Sequence, residues 1–262
     1  NIDDLVITEL SAIKKIEELR KEQENYLSPA FSTISAYKEH AAMMHYSVTP
    51  ESNYQLKAKG MYLIDTGANY LEGTTDFTRT IILGEIPLEM KKHYTAVVKG
   101  MLNLSNAKFL EGTKAYNLDI IARMPIWQLG LDYLSATGHG IGYLTNVHEP
   151  PLRVHWQANL GSKLEVGTLL SNEPGIYIEN SHGIRIENDL LIQNSIKNEY
   201  GQFLEFEVCT FVPIDLDGID INSMSSQDKE YLNSYHKLVR DKLSKYLNEA
   251  EVEWLVEYTK EI

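Results

Sequence analysis

Apolar residues fall at helical spacing in several stretches of the chain and alternate with polar ones in most of the rest. From Ile2 to Tyr26 the apolar positions are Leu5, Leu10, Ile13, Ile16, Leu19 and Tyr26, separated by Lys, Arg and Glu, which predicts a helix closed by Pro29. A short β-like piece, FSTIS, follows, and Pro50, Ser52 and Asn53 mark a loop. Met61, Leu63 and Ile64 lead into Asp65, a turn region punctuated by Gly67 and Gly73 comes next, and Thr74 to Ile82 form a β-branched run, so a hairpin is predicted here. Pro87 opens a second helix with Met90, Tyr94, Val97, Val98, Met101, Leu102 and Leu104 on its apolar side. A third is predicted over 114–129, interrupted or kinked at Pro125.

The stretch TGHGIGYLTNVHEPP is rich in punctuation: Gly138, Gly140 and Gly142 allow close backbone approach and unusual torsions, and Pro150–Pro151 should stop any regular element. Three β-rich runs follow, VGTLLSNEPGIYI, GIRIENDLLI and FLEFEVCTFVPI, with turns at Asn180–Gly183 and Asn198–Gly201. Helices return over 225–247 and 249–258. Helices and antiparallel-looking strands alternate without a βαβ rhythm, which predicts an α+β fold in a single domain spanning 1–262.

Composition narrows the function. The formal charge of −13 leaves no basic stripe for nucleic acid or for an anionic membrane surface. No apolar run approaches the ~20 residues of a membrane-spanning helix. Cys209 is the only cysteine, so no disulfide can form within the chain, and its apolar surroundings predict a buried strand residue rather than a nucleophile. The chain opens on Asn1, which leaves room for a longer native N-terminus, and a cytoplasmic setting is expected.

The candidate chemistry begins with Asp65 and Asp76, eleven residues apart with no basic residue between them. Carboxylates in a strand are costly to bury without a compensating charge. His139 stands between two glycines, His148 nine residues later, Glu173 in NEPG and Glu187 in GIRIEN. Singly, each has an ordinary structural reading: a turn histidine, a Glu before a proline turn, a Glu187 facing solvent or paired with Arg185. Jointly, four carboxylates and one imidazole suit two divalent cations of the Mn²⁺, Mg²⁺ or Co²⁺ type, with Zn²⁺ as a further candidate, and the lack of thiolates argues against a sulfur-rich zinc site.

At these motifs the chain resembles the catalytic domain of aminopeptidase P (Xaa-Pro aminopeptidase), of the metallopeptidase family that also holds methionine aminopeptidase, prolidase and creatinase. The resemblance runs through STIS (32–35), the HYS segment at His45, IDTGANYLEGTTDFTRT (64–80), GLDYLSATGHGIG (130–142), NVHE (146–149), NEPGIY (172–177) and GIRIEN (183–188). It implies the pita-bread α+β fold, a curved antiparallel sheet with helices on its outer face and a dimetal site on its concave side. It also implies that Asp65 chelates one metal, Asp76 and Glu187 bridge both, and His139 and Glu173 hold the other, with Mn²⁺ the expected ion. The implied reaction removes the N-terminal residue from peptides with proline second, by attack of a metal-bridging hydroxide. Glu173 would serve as general acid and base, His45 and His148 would bind substrate and the developing oxyanion, and Arg185 would orient a carboxylate or bind substrate. A homodimer is implied as well. The two additional N-terminal domains of long-branch relatives have no counterpart in this sequence, so a catalytic domain alone or a fragment of a longer protein is expected.

One position departs from the family pattern. Where relatives carry a histidine four residues before the metal-binding one, this chain has Ser135, leaving His40 or His155 as spatial substitutes. Two other readings compete with the leading one: a prolidase-like Xaa-Pro dipeptidase, and a non-catalytic peptide-binding module on the same fold.

Overall fold

The computed structural model describes residues 6–158 and 162–262, so the predicted helical positions Ile2 and Leu5 lie outside the described residues. The first helix, α1, covers Glu9–Lys21. It starts where Thr8 accepts the Ser11 amide and Ser11 returns the bond, a reciprocal cap that fixes the N-terminus later than periodicity alone suggests. Tyr26 belongs not to the helix but to strand β1 (Tyr26–Pro29).

The predicted hairpin around the two aspartates is present in a wider form. Strand β3 (Met61–Thr66) pairs antiparallel with β6 (Phe77–Ile82), and β2 (Ile34–Tyr37) lies on the other side of β3. Between the two long strands the chain makes β4 (Ala68–Tyr70) and β5 (Gly73–Thr74), which join β1 in a small separate sheet. In the β3–β6 register Asp65 stands opposite Thr78. Asp76 is the residue before β6 begins.

Helix α2 (Leu88–Ser105) enters from Pro87 and is the spine of the core: Tyr94, Val97, Val98 and Met101 are fully buried. Helix α3 (Ala115–Trp127) packs beside it and carries Pro125 in its last turn, so the helix continues through the predicted interruption. Strand β7 (Lys108–Leu110) lies between these two helices in the chain. Strands β8 (Gly138–Ile141), β9 (His148–Val154), β10 (Leu169–Asn172), β13 (Asn188–Asn198) and β14 (Gly201–Val208) complete a six-stranded antiparallel sheet ordered β7-β14-β13-β10-β8-β9. Strands β11 (Gly175–Ile178) and β12 (His182–Arg185) form a hairpin, and α4 (Ser226–Leu243) and α5 (Glu249–Tyr258) close the chain.

Two strands run through the glycine- and proline-punctuated stretch, and the stop expected at Pro150–Pro151 does not occur. The glycine-rich stretch forms β8 because glycine is what its neighbour requires: a Cβ at Gly138 would lie 1.9 Å from the Ser171 carbonyl oxygen. The double proline lies inside β9, at the sheet's edge, where missing amide donors break no ladder. Cys209 corrects another expectation. It stands exposed just past the end of β14 rather than buried within a strand.

Side-chain alternation gives the large sheet two distinct faces. Leu170, Leu190, Ile192, Leu152 and Val154 pack with Leu104 of α2 and with Leu118 and Ala122 of α3. The intervening residues Ser171 and Asp189 are paired across β10 and β13 and point the other way, as does His139 on β8, whose amide donates to Ser171 Oγ. Helices therefore cover one face, and polar side chains line the opposite one.

Candidate metal centre

Two parts of the fold meet at that polar face. The β12–β13 junction runs alongside β6, where the Glu187 amide donates to the Thr78 carbonyl at 3.1 Å. Arg79, fully engaged in the interior, reinforces the junction by donating to the carbonyls of Glu187, Val212 and Pro213 and to Asn188 Oδ1. Asp65 and Asp76, from the smaller sheet, are thereby brought against Glu187, and against Glu173 and His139 from the larger one. Ligand atoms of Asp76, His139 and Glu187 all lie within 4.8 Å of one another. All five residues line one cavity of ≈ 330 Å³, together with His45, His148 and Arg185.

His139 is held as a ligand needs to be. Its Nδ1 faces the Gly140 carbonyl at 2.9 Å, so a proton there leaves Nε2 facing Glu173 Oε1 (3.2 Å) and Asp76 Oδ2 (3.6 Å), as a proton donor to them or, once deprotonated, as a ligand. Burial works against a charged His139 ring, but Glu173 more than offsets it and raises the imidazole above its usual range. Glu173 is itself held below the usual carboxylate range: burial opposes its charge, and His139, Arg185 and the Ser171 hydroxyl outweigh that. The ring of His148 stands edge-on to His139, with centroids 4.2 Å apart, and is kept neutral by burial and by the His139 ring.

Arg185 has its donors committed. It binds Asp65 Oδ2 at 2.6 Å, the Tyr177 hydroxyl at 2.8 Å and Thr78 Oγ1 at 3.1 Å. Of the two expected tasks, orienting a carboxylate is the one these contacts describe. Thr78 in turn donates to Glu187 Oε2 at 2.6 Å, so one hydroxyl links the guanidinium to the second acid.

Among the described residues no Lys or Arg pairs with Asp76 or Glu187. Asp76 is raised well above its ordinary range by burial, then by Asp65, Asp189 and Glu173. Glu187 is raised well above by burial, then by Asp76, Glu173 and Asp65. Asp65 Oδ1 is buried with no hydrogen-bond partner among the described residues. Buried acids that repel one another, an orphaned carboxylate oxygen and an imidazole with its Nε2 turned inward form an oxygen-rich donor set that fits divalent cations and lacks a charge to complete it.

Past His148 and His45 the cavity continues into a second hollow of ≈ 370 Å³, lined by Ser135, Ala136, Glu149, Pro151 and Arg153. Neither His40 nor His155 lines either space. His40 is stacked between Tyr46 and Tyr54 and bonded to Glu9, while His155 stacks on Trp156. Sequence reasoning missed Asp189, Thr78 and the stapling role of Arg79. For Arg79 and Thr78 the signal was their place in the motif that carries the two aspartates.

Residues 5–194 match metallopeptidase family M24, and residues 202–262 match the C-terminal region of peptidase M24. Aminopeptidase P1 of Arabidopsis thaliana is 38% identical over 261 residues, which cover 98% of this chain and 40% of that protein. The putative Xaa-Pro aminopeptidase FRA1 of Saccharomyces cerevisiae is 40% identical over 95% of this chain and 34% of its own length. The chain thus spans two fifths or less of these two relatives. Among solved structures, the X-prolyl aminopeptidase from Caenorhabditis elegans, described as a cytosolic enzyme with a di-nuclear active site, superposes with a TM-score of 0.92 at 37% identity, covering 97% of this chain and 42% of that one. The prolidase from Pyrococcus furiosus gives 0.65 at 28% identity, covering 77% and 55%. These relatives share the pita-bread α+β fold.

Proposed function

The chain belongs to metallopeptidase family M24, and from that premise we propose that it hydrolyses the bond after the N-terminal residue of peptides with proline in second place, using two divalent metal ions. The observation that carries this reading is the buried trio Asp76, His139 and Glu187, three ligand types within 4.8 Å of one another. Asp65, Asp76, Glu187, Glu173 and His139 would hold the ions. The oxygen-rich, thiolate-free donor set favours Mn²⁺. Bound there, two divalent ions supply an acidified water and polarise the scissile carbonyl.

The chain's own groups do the remaining work. Glu173 is ionised and its Oε1 is fixed by Ser171 and His139, which suits the carboxylate to take up a proton and return it to the departing proline nitrogen. His148, kept neutral, and His45 stand at the cavity wall, placed to donate to the substrate carbonyl as negative charge develops on it. Arg185 keeps Asp65 in a single orientation. The hollow beyond His148 gives residues after the proline a place to lie, which favours an aminopeptidase over a strict dipeptidase.

A cytoplasmic setting is supported by the cytosolic description of the C. elegans relative, and no helix among the described residues is long and apolar enough to cross a membrane. A single catalytic domain and a homodimer complete the reading, the latter to be checked by light scattering. The direct test is hydrolysis of Xaa-Pro-Pro and of Xaa-Pro by chelator-treated protein before and after addition of Mn²⁺. We expect metal-dependent release of the first residue from the tripeptide. Turnover of the dipeptide alone would indicate the prolidase-like activity, and no turnover with two ions bound would indicate a peptide-binding module.

A further inference from the structure

One buried acid has no part in the arrangement above. Asp189 lies on β13 and is 5% exposed. Its cross-strand partner is Ser171, so its side chain shares the polar face with the hydroxyl that receives the His139 amide and binds Glu173. Asp189 Oδ2 accepts the backbone N–H of Asp76 at 3.1 Å, and Oδ1 is buried with no partner among the described residues. Among the described residues no Lys, Arg or His lies within ion-pair distance of it.

An acceptor for the Asp76 amide does not require an acid. Asn at this position would take the same hydrogen bond without placing a carboxylate in the interior, where an uncompensated charge costs several kcal/mol. A carboxylate is favoured over a neutral acceptor only where positive charge is close by; His139 and Arg79 attract it from beyond ion-pair distance, and the cluster whose backbone it holds is where further positive charge would enter. Resting on the two-metal reading, we propose that Asp189 is a positioning residue of the metal centre, which pins Asp76 through its amide and adds a fifth carboxylate charge that tightens the hold on divalent ions. It stands behind Asp76 rather than among the ligands. Groups in that position are known to change metal affinity by about 10–100-fold.

The test is a calorimetric Mn²⁺ titration of chelator-stripped wild type, Asp189→Asn and Asp189→Ser, with thermal melts at zero and saturating Mn²⁺. Asparagine keeps the shape and the acceptor while removing the charge. Serine provides a second uncharged variant should the first fold poorly. The expected result is two equivalents in every case, with affinity 10–100-fold weaker in both variants. The variants should melt no lower than wild type without metal, yet gain less from Mn²⁺. Unchanged affinity, or a melting temperature lowered equally with and without Mn²⁺, makes Asp189 merely structural and overturns the proposal. A wild type that takes up no Mn²⁺ overturns the two-metal reading along with it.

Discussion

Two buried clusters of charge lie close together in this protein, and they are built on opposite principles. In the first, fully buried Arg123 grips Asp119 with two donors at 2.7 and 3.0 Å, reaches Asp132 at 2.7 Å and the Tyr133 carbonyl at 2.6 Å, and stacks on the Tyr133 ring. Asp119 also accepts from Thr137, which sits two residues before His139. Every charge there has its complement. In the second cluster, Asp76 and Glu187 face chiefly other acids, and among the described residues two carboxylate oxygens, Asp65 Oδ1 and Asp189 Oδ1, have no partner. The first arrangement holds the 135–139 segment in place. The second is complete only with cations supplied from solution, and that asymmetry separates scaffold from centre.

Replacing Glu187 by Gln should break the second cluster with the largest functional effect. At least one of two ions should be lost, and kcat/KM on Xaa-Pro-Pro should fall by about 1,000-fold or more, equivalent to about 4 kcal/mol of transition-state stabilisation. Melting temperature without metal should not fall, since a repelled charge has been removed. The corresponding change in the first cluster, Arg123→Met, should act on stability instead. Leaving Asp119 buried without its cation should cost about 3–5 kcal/mol and lower Tm by roughly 10 °C. Replacing both residues by Leu should cost far less, and calorimetry of the two variants checks this.

How far these clusters could be read from sequence differs in the same way. The ligand-type residues were legible because each stands in a distinctive motif, and α2 was legible because its apolar period is unbroken from Met90 to Leu104. Strands β8 and β9 were not, because glycine and proline ordinarily end strands. Here Gly138 is required by the close approach of Ser171, and the prolines lie on an edge. Asp189 was invisible for a different reason: in IENDLLI it looks like the polar half of an alternating strand, and only the structure shows that its face is enclosed. Cys209 misled because apolar neighbours in sequence continue past the point where β14 leaves the sheet.

A smaller effect concerns pH. Asp189, raised to about 8, and Asp76 and Glu187, raised well above their usual range, bind protons in the folded metal-free protein that the unfolded chain has already released. Their contribution to stability therefore falls as pH rises through this range. His182 and His236, lowered by burial to about 4, act in the opposite sense, but only below about pH 6.5. Metal-free protein should thus lose stability between about pH 6.5 and 8, and saturating Mn²⁺ should flatten that slope. Smallest of all should be Ser135→His, which places an imidazole at the wall of the second hollow. It should lower KM for Xaa-Pro-Pro by about fivefold, the worth of one added hydrogen bond, with metal content unchanged.

The central claim is that the acids of the second cluster exist to hold two divalent ions. Its most direct test is titration of chelator-stripped wild-type protein with Mn²⁺, followed by electron paramagnetic resonance. Two equivalents per chain with a spin-coupled spectrum are predicted, and a single uncoupled ion, or none, would contradict it.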